Sequence, residues 1–262
     1  MGSSPSSGSF SVASGGGRSV LVTGGQGGIG SAIAEALAAR GATVYVARHP
    51  GSAIPDRSAG GATVHHLELD VTSERDWDSA LARIESAQGA LYGLVNNAAV
   101  LEPGTDFLDL DLAEWRRQLS VNLDGSFLGC RSAMRMMART GGGAIVNVSS
   151  GAALIPSPKA AAYCVSKAAV LALTRLAAKA GGRHRVRVNA VLPGAVDTPM
   201  LWRNVREGDS PVAFVLALTR LHPIGRIGMP TDVAAAVAFL LDPANDFTTG
   251  ALLSVDGGQV VD

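Results

Sequence analysis

Tyr163 and Lys167 stand four residues apart in the stretch Ala160-Ala-Ala-Tyr-Cys-Val-Ser-Lys-Ala-Ala169, and Ser150 stands thirteen residues before the tyrosine, closing the run Ala144-Ile-Val-Asn-Val-Ser-Ser150. On a helix, positions i and i+4 share a face about one turn apart, so an ammonium would lie beside a phenol. A free phenol titrates near pH 10, and a nearby cation stabilises its anion by roughly 1.4 kcal/mol for each pKa unit displaced. A tyrosine so placed could pass a proton near neutral pH. The same pair also occurs on ordinary solvated helix faces, so its meaning depends on what positions it.

From Arg18 onward, short β-rich apolar runs alternate with longer Ala-rich segments of helical period. Strands are expected at 19–22, 43–47, 63–67, 93–96, 143–148, 187–191 and 252–255, and the clearest helices at 29–40, 74–87, 112–138, 160–180 and 230–241. Repeated β-α-β units predict an α/β fold: a doubly wound, Rossmann-type parallel sheet of about seven strands with helices on both faces. Such sheets bind ligands at the carboxyl ends of their strands, so functional residues should follow each strand.

Directly after the first expected strand comes Thr23-Gly-Gly-Gln-Gly-Gly-Ile-Gly30, and a helix follows at once. Gly24 can take a tight-turn backbone, Gly28 lets a diphosphate approach the main chain, and Gly30 lets helix and strand approach each other. Gln26, Gly27 and Ile29 complete the turn. Free N–H groups and the helix dipole favour an anion there.

The chain has 262 residues, 47% of them apolar and 17% charged, with Lys plus Arg equal to Asp plus Glu at 22 each. That balance points away from nucleic acid and anionic membranes, and toward small molecules or further copies of the chain. Residues 1–17 read as a disordered Ser/Gly-rich leader and residues 18–262 as one domain, with no apolar run expected to span a bilayer. The two cysteines, Cys130 and Cys164, lack metal-ligand spacing, so no metal site is expected, and they suit a reducing cytoplasm.

Taken together, these segments resemble the short-chain dehydrogenase/reductase family from Arg18 to the C-terminus. The matching elements are Thr23-Gly-x-x-x-Gly-x-Gly30, Leu69-Asp-Val71, Asn96-Asn-Ala-Ala99, Asn122, Ser150, Tyr163-x-x-x-Lys167, Pro193-Gly194 and Asp256-Gly-Gly258. Ala99 departs from the family's usual glycine and should tighten the floor of the cofactor cleft. The resemblance implies that Tyr163 exchanges a proton with the substrate oxygen, and that Ser150 polarises that oxygen. It implies that Lys167 acidifies Tyr163 and grips the nicotinamide ribose, and that Asn122 holds a water linking Lys167 to solvent. Asn122 could also pin a helix to a neighbouring strand, and the two roles can coexist. Ser149 should turn toward the backbone. Asp70 and Val71 resemble the adenine-contacting pair. Asn96 resembles the residue bridging strand end and cofactor, with Asn97 and Ala98 beside it in the cofactor site. Pro193, Gly194, Val196 and Thr198 look like contacts near the nicotinamide.

Within the resemblance, the residue ending the second strand selects the cofactor, an acid favouring NAD(H) and a base NADP(H). Here it is Arg48, with no carboxylate near it in sequence, which favours NADP(H) slightly over NAD(H). The segment 195–228 is expected to be a substrate lid; with Ala152, Leu154, Trp202 and Phe214 it forms an apolar pocket for a bulky or cyclic secondary alcohol or ketone. Arg203 and Arg206 are expected to be solvated, with binding of an acidic substrate group as the alternative. Helices 112–138 and 160–180 carry more apolar positions than one face needs, which in this family implies a homotetramer or at least a homodimer. Two other readings are a reductase of a carrier-tethered 3-oxoacyl thioester and a non-catalytic nicotinamide-binding sensor.

Overall fold

A computed structural model of the chain describes residues 18–52, 64–102, 104–205, 208 and 210–260. The expected leader and Arg206 lie outside the described residues. The expected alternation is observed as β1 (Ser19–Thr23), α1 (Gly28–Ala38), β2 (Thr43–Arg48), β3 (Val64–Glu68), α2 (Glu74–Gln88), β4 (Gly93–Asn96), α3 (Leu112–Leu119), α4 (Gly125–Thr140), β5 (Gly143–Val148), α5 (Ala161–Gly181), β6 (Val186–Pro193), α6 (Pro199–Trp202), α7 (Pro211–Arg220), α8 (Pro230–Leu241) and β7 (Leu252–Val255). Among the described residues, seven strands pair in parallel in the order β3-β2-β1-β4-β5-β6-β7. The chain winds outward from β1 to β3 and then returns to lay β4 against the other side of β1. The crevice at that switch lies at the carboxyl ends of β1 and β4.

Both sheet faces are covered, so the inner strands are buried at every position rather than at alternate ones. Alternate side chains serve two cores. Val20, Val22, Val44 and Val46 pack with Ile33 and Leu37 of α1 and Val233 and Val237 of α8. Leu21, Tyr45, Leu94, Ile145 and Val188 pack with Trp77 and Ile84 of α2, Leu128 and Met137 of α4, and Ala177 of α5. Each fully buried side chain of this size contributes about 1.5–3 kcal/mol, which holds the strand ends rigid beneath the site.

Helix starts follow local capping chemistry. Ser73 accepts from the Asp76 amide to open α2, and Asp111 accepts from the Glu114 amide to open α3. The single helix expected at 112–138 is instead two, because Ser120–Asp124 winds as a π-helix between α3 and α4. A π turn inserts a residue at some cost in hydrogen-bond geometry and recurs at functional positions. Here it carries Asn122.

Three smaller differences matter. β3 runs one residue past the expected end, placing Glu68 in the sheet opposite Arg48. β6 continues to Pro193. Contrary to expectation, the helical segment Pro158–His184 is long and apolar enough to span a bilayer by length and composition alone, with a mean hydropathy of 1.3 over an 18-residue stretch of it. In the fold it is a core helix: Ala162, Lys167, Val170, Thr174 and Ala177 on one face are buried toward β5 and β6.

Candidate active site

A hydrogen-bonded hub at the end of β1 builds the floor of the crevice. Thr23 Oγ1 accepts from the amides of Asn97 and Ala98, both at 3.0 Å, which fastens the exit of β4 to that of β1. Asn97 Nδ2 donates to the carbonyls of Thr23 and Gly24 at 3.0 Å each. Asn97, not Asn96, thus faces the glycine turn. Asn96 sits on the opposite side of the pleat, 4% exposed, and donates to Asn147 Oδ1 at 2.8 Å within the core.

The glycine turn fits a dinucleotide. A Cβ on Gly30 would collide with the Gly24 carbonyl and lie 2.7 Å from Asn97 Nδ2, so only glycine lets α1 start this close to β1. Gly28 holds φ +53°, in the left-handed region. No side chain caps the N-terminus of α1, its first turn has no acid, and it opens into a cleft of about 400 Å³. Gly24, Gly27, Gly28, Ile29, Asn97 and Ala98 line the near end of that cleft, and Asp or Glu is absent from its walls among the described residues. Backbone amides and a helix N-terminus without competing carboxylates suit a diphosphate.

At the far end, Ser150, Tyr163 and Lys167 line the same cleft, as do Pro193, Gly194, Val196 and Thr198. β5 delivers Ser150, which caps a short 3-10 turn by accepting from the Ala152 amide at 3.1 Å. α5 delivers Tyr163 and Lys167 one turn apart. Ser149 turns to the backbone, donating to the Lys167 carbonyl at 2.8 Å.

Both titrating groups are shifted by burial toward their neutral forms. Lys167 is 2% exposed, and burial lowers its pKa to about 8. Burial raises the Tyr163 phenol above its ordinary value; a hydrogen bond with Ser150 draws it partly back, and the Cys164 thiol pushes it up. Lys167, expected to acidify this phenol, is not among the groups that lower its pKa. The lysine reaches past the ring to the Val148 carbonyl, leaving Nζ 5.6 Å from the ring centre. Tyr163 is thus a protonated acid at neutral pH, suited to giving a proton to a developing alkoxide.

Asn122 is fully buried with its amide consumed. Oδ1 accepts from the Val100 amide at 2.8 Å, while Nδ2 donates to the Val100 carbonyl at 3.0 Å and to Ser166 Oγ at 3.1 Å. Ser166 in turn donates to the Tyr163 carbonyl at 2.7 Å. The side chain performs the pinning role, tying the segment after β4 to the catalytic helix.

Several expected residues lie off this cleft. Asp70 turns its carboxylate onto the Thr72 amide and hydroxyl at 2.9 and 2.8 Å. Burial would raise its pKa, but those bonds and the charge of His49 hold it below the ordinary value. The Val71 carbonyl accepts from the Trp77 indole at 2.9 Å. Gln26 and Gly30 belong to the turn without lining the cleft. Ala152, Leu154, Trp202 and Phe214 also stand outside the lining. Trp202 donates to Asp197 Oδ1 at 2.6 Å, and its ring centre is 6.4 Å from that of Phe214.

Arg48 departs most from its sequence context. Glu68 Oε1 lies 2.6 Å from its Nη2, so a carboxylate is near after all, brought there by strand pairing.

Met200 and Leu201 of the expected lid line the cleft, and so do Leu101 and Asn204, which sequence reasoning passed over; Arg203, although exposed, also lines it, as the alternative of an acidic substrate group requires. His222, 3% exposed, accepts from the Ala195 amide through Nε2 at 3.1 Å and pairs Nδ1 with the Leu218 carbonyl at 2.7 Å. It ties α7 to the cleft wall. No local pattern marks such a histidine.

A doubly wound parallel sheet, an anion-binding glycine turn at its switch point, and a serine, tyrosine and lysine in the same cleft define a nicotinamide-dependent oxidoreductase. A family model described as enoyl-(acyl carrier protein) reductase matches residues 24–259. The chain is 38% identical over 246 residues to 2,5-dichloro-2,5-cyclohexadiene-1,4-diol dehydrogenase of Sphingobium indicum, covering 92% of this chain and 96% of that protein. It is 38% identical over 247 residues to cis-4-hydroxycyclohexanecarboxylate dehydrogenase of Sinomonas cyclohexanicum, again covering 92% and 96%. The ligand-free structure of Thermoplasma acidophilum aldohexose dehydrogenase superimposes with a TM-score of 0.84 at 35% identity, over 94% of each chain. The chain belongs to the short-chain dehydrogenase/reductase family.

Proposed function

We propose that this chain is an NAD(P)(H)-dependent oxidoreductase that interconverts a hydrophobic or cyclic secondary alcohol and its ketone. The observation that carries this reading is the convergence of Ser150, Tyr163 and Lys167 on a cleft that begins at the glycine turn. The relatives named for a cyclohexadienediol and a hydroxycyclohexanecarboxylate support the cyclic alcohol.

A nicotinamide held in this cleft would supply hydride to, or accept it from, the carbinol carbon. Ser150 and Tyr163 donate hydrogen bonds to the substrate oxygen, and Tyr163 supplies the proton as that oxygen gains charge. Lys167 keeps a cation, or a neutral amine above about pH 8, beside the ring. Leu101, Met200 and Leu201 exclude water from the substrate end of the cleft. Gly24, Gly27, Gly28 and Ile29 would hold the diphosphate, with Asn97 and Ala98 beside it, and Pro193, Gly194, Val196 and Thr198 would face the nicotinamide.

The cofactor reading remains NADP(H) over NAD(H) by a narrow margin, because Arg48 offers a cation that is partly committed to Glu68. Residues 195–228 are read as a lid. The groove between α4 and α5, lined by Phe127, Met134, Leu173 and Leu176, supports association into a homotetramer or at least a homodimer. Two free cysteines agree with a cytoplasmic setting.

The deciding experiment follows nicotinamide absorbance with wild type and Tyr163→Phe over a panel of cyclic secondary alcohols and ketones. Turnover by wild type with loss in the variant is expected. Absence of turnover with either cofactor across the panel would overturn the reading.

A further inference from the structure

The β1–β2 register pairs Thr23 with Ala47, so Arg48, the next residue, stands beside the glycine turn at the carboxyl edge of the sheet. Its guanidinium is held from two sides: Nη1 donates to the Ser52 carbonyl at 2.5 Å and Nη2 lies 2.6 Å from Glu68 Oε1. Its Nε is buried without a hydrogen-bond partner among the described residues. The exposures are unequal, 14% for the arginine side chain and 56% for the glutamate. Arg48 is the anchored member, and Glu68 reaches it from solvent because β2 and β3 place the two opposite each other.

We propose that Glu68 is a selectivity-determining residue, setting the balance between NADP(H) and NAD(H) by occupying the Arg48 guanidinium. This rests on the reading above that the adenosine end of the cofactor meets the end of β2. A 2′-phosphate attracted to Arg48 must either displace Glu68 or sit beside its carboxylate, and both options cost affinity. A 2′-hydroxyl suffers no such repulsion and can donate to a carboxylate. Arg48 alone would select the phosphate; Arg48 with Glu68 presents a nearly neutral pair. Exposed ion pairs are worth up to about 1 kcal/mol, so neutralising Glu68 should tighten the phosphate-bearing ligand about fivefold.

The test is calorimetric titration of the full chain with adenosine 2′,5′-bisphosphate and with adenosine 5′-monophosphate, comparing wild type, Glu68→Gln, Arg48→Met and the double variant. Glu68→Gln should bind the bisphosphate about fivefold more tightly and leave the monophosphate within about twofold. Arg48→Met should remove the preference for the bisphosphate, and adding Glu68→Gln to it should give a smaller gain than in the presence of Arg48, since only the repulsion by the carboxylate is then relieved. An unchanged ratio in Glu68→Gln, or an equal gain in the double variant, overturns the role of Glu68 while the cofactor site stands. If wild type binds neither nucleotide, the adenosine-site reading falls and this inference falls with it.

Discussion

Lys167 donates from Nζ to the carbonyl oxygen of Val148 at 2.8 Å. Val148 ends β5, two residues before Ser150, and Lys167 lies one turn beyond Tyr163 on α5. One buried bond therefore locks the strand that presents the serine to the helix that presents the tyrosine. Burial raises the Tyr163 pKa and lowers that of Lys167, so the site offers a phenolic proton rather than a phenolate.

Tyr163→Phe removes that proton and little volume. Turnover in the direction of ketone reduction should fall about 10²- to 10⁴-fold, the usual range for loss of a positioned general acid. Dinucleotide affinity, measured by fluorescence titration, should change less than about threefold, because the glycine turn is untouched. A comparable fall in affinity would place the hydroxyl in binding rather than proton transfer.

The shift at Lys167 has a stability consequence whose sign is defined. Its pKa is lowered from 10.5 to about 8 on folding. Between those values the unfolded chain holds a proton that the folded chain does not, so this residue's contribution to stability rises with pH, by at most about 1.4 kcal/mol per unit. Below about pH 8 both states hold the proton and its penalty is full and constant. Urea unfolding of wild type and Lys167→Met at several pH values isolates this term. The wild type should gain on the variant from about pH 8 to 10, and a constant difference would show that the ammonium is not penalised by burial.

Asn122→Ala removes three buried hydrogen bonds and leaves the Val100 amide and carbonyl without them. The expected loss is about 2–4 kcal/mol, read as a lower urea midpoint at unchanged slope. Asn122→Asp should not rescue it, since a carboxylate oxygen would then face the Val100 carbonyl.

The glycines of the turn should separate sharply. A Cβ at Gly27 meets nothing within 4 Å, whereas one at Gly30 strikes backbone, including Gly25 Cα at 2.8 Å. Gly27→Ala should retain stability within about 0.5 kcal/mol. Gly30→Ala should lose dinucleotide binding by at least about tenfold or fail to fold, as judged by calorimetry beside circular dichroism. Equal behaviour of the two would contradict the close packing of α1 on β1.

Much of the fold was legible because the governing signals are local. Continuous Val, Ile and Leu runs mark strands buried on both faces, and the Pro230–Leu241 helix follows from its own periodicity and N-terminal proline. The π turn at Ser120–Asp124 was not legible; it carries Asn122, whose bonds to Val100 and Ser166 join segments distant in sequence. Asn96 and Asn97 could not be told apart by type; the pleat of β4 sends one into the core and the other to the glycine turn. Arg203 carries the same formal charge whether it faces solvent or the cleft.

By itself, the amino-acid sequence determined the chemistry on offer: a phenol and an amine one helical turn apart, a serine at a strand end, and a turn that only glycine can make. Spacing along one element is enough for these, because helix and strand geometry are repetitive. Tertiary structure alone decided their electrostatic state and their neighbours. Burial against the sheet drew Lys167 and Tyr163 toward neutrality, and strand pairing set Glu68 on Arg48 across twenty residues of chain. Desolvation and through-space charge depend on what packs nearby, which no local pattern records.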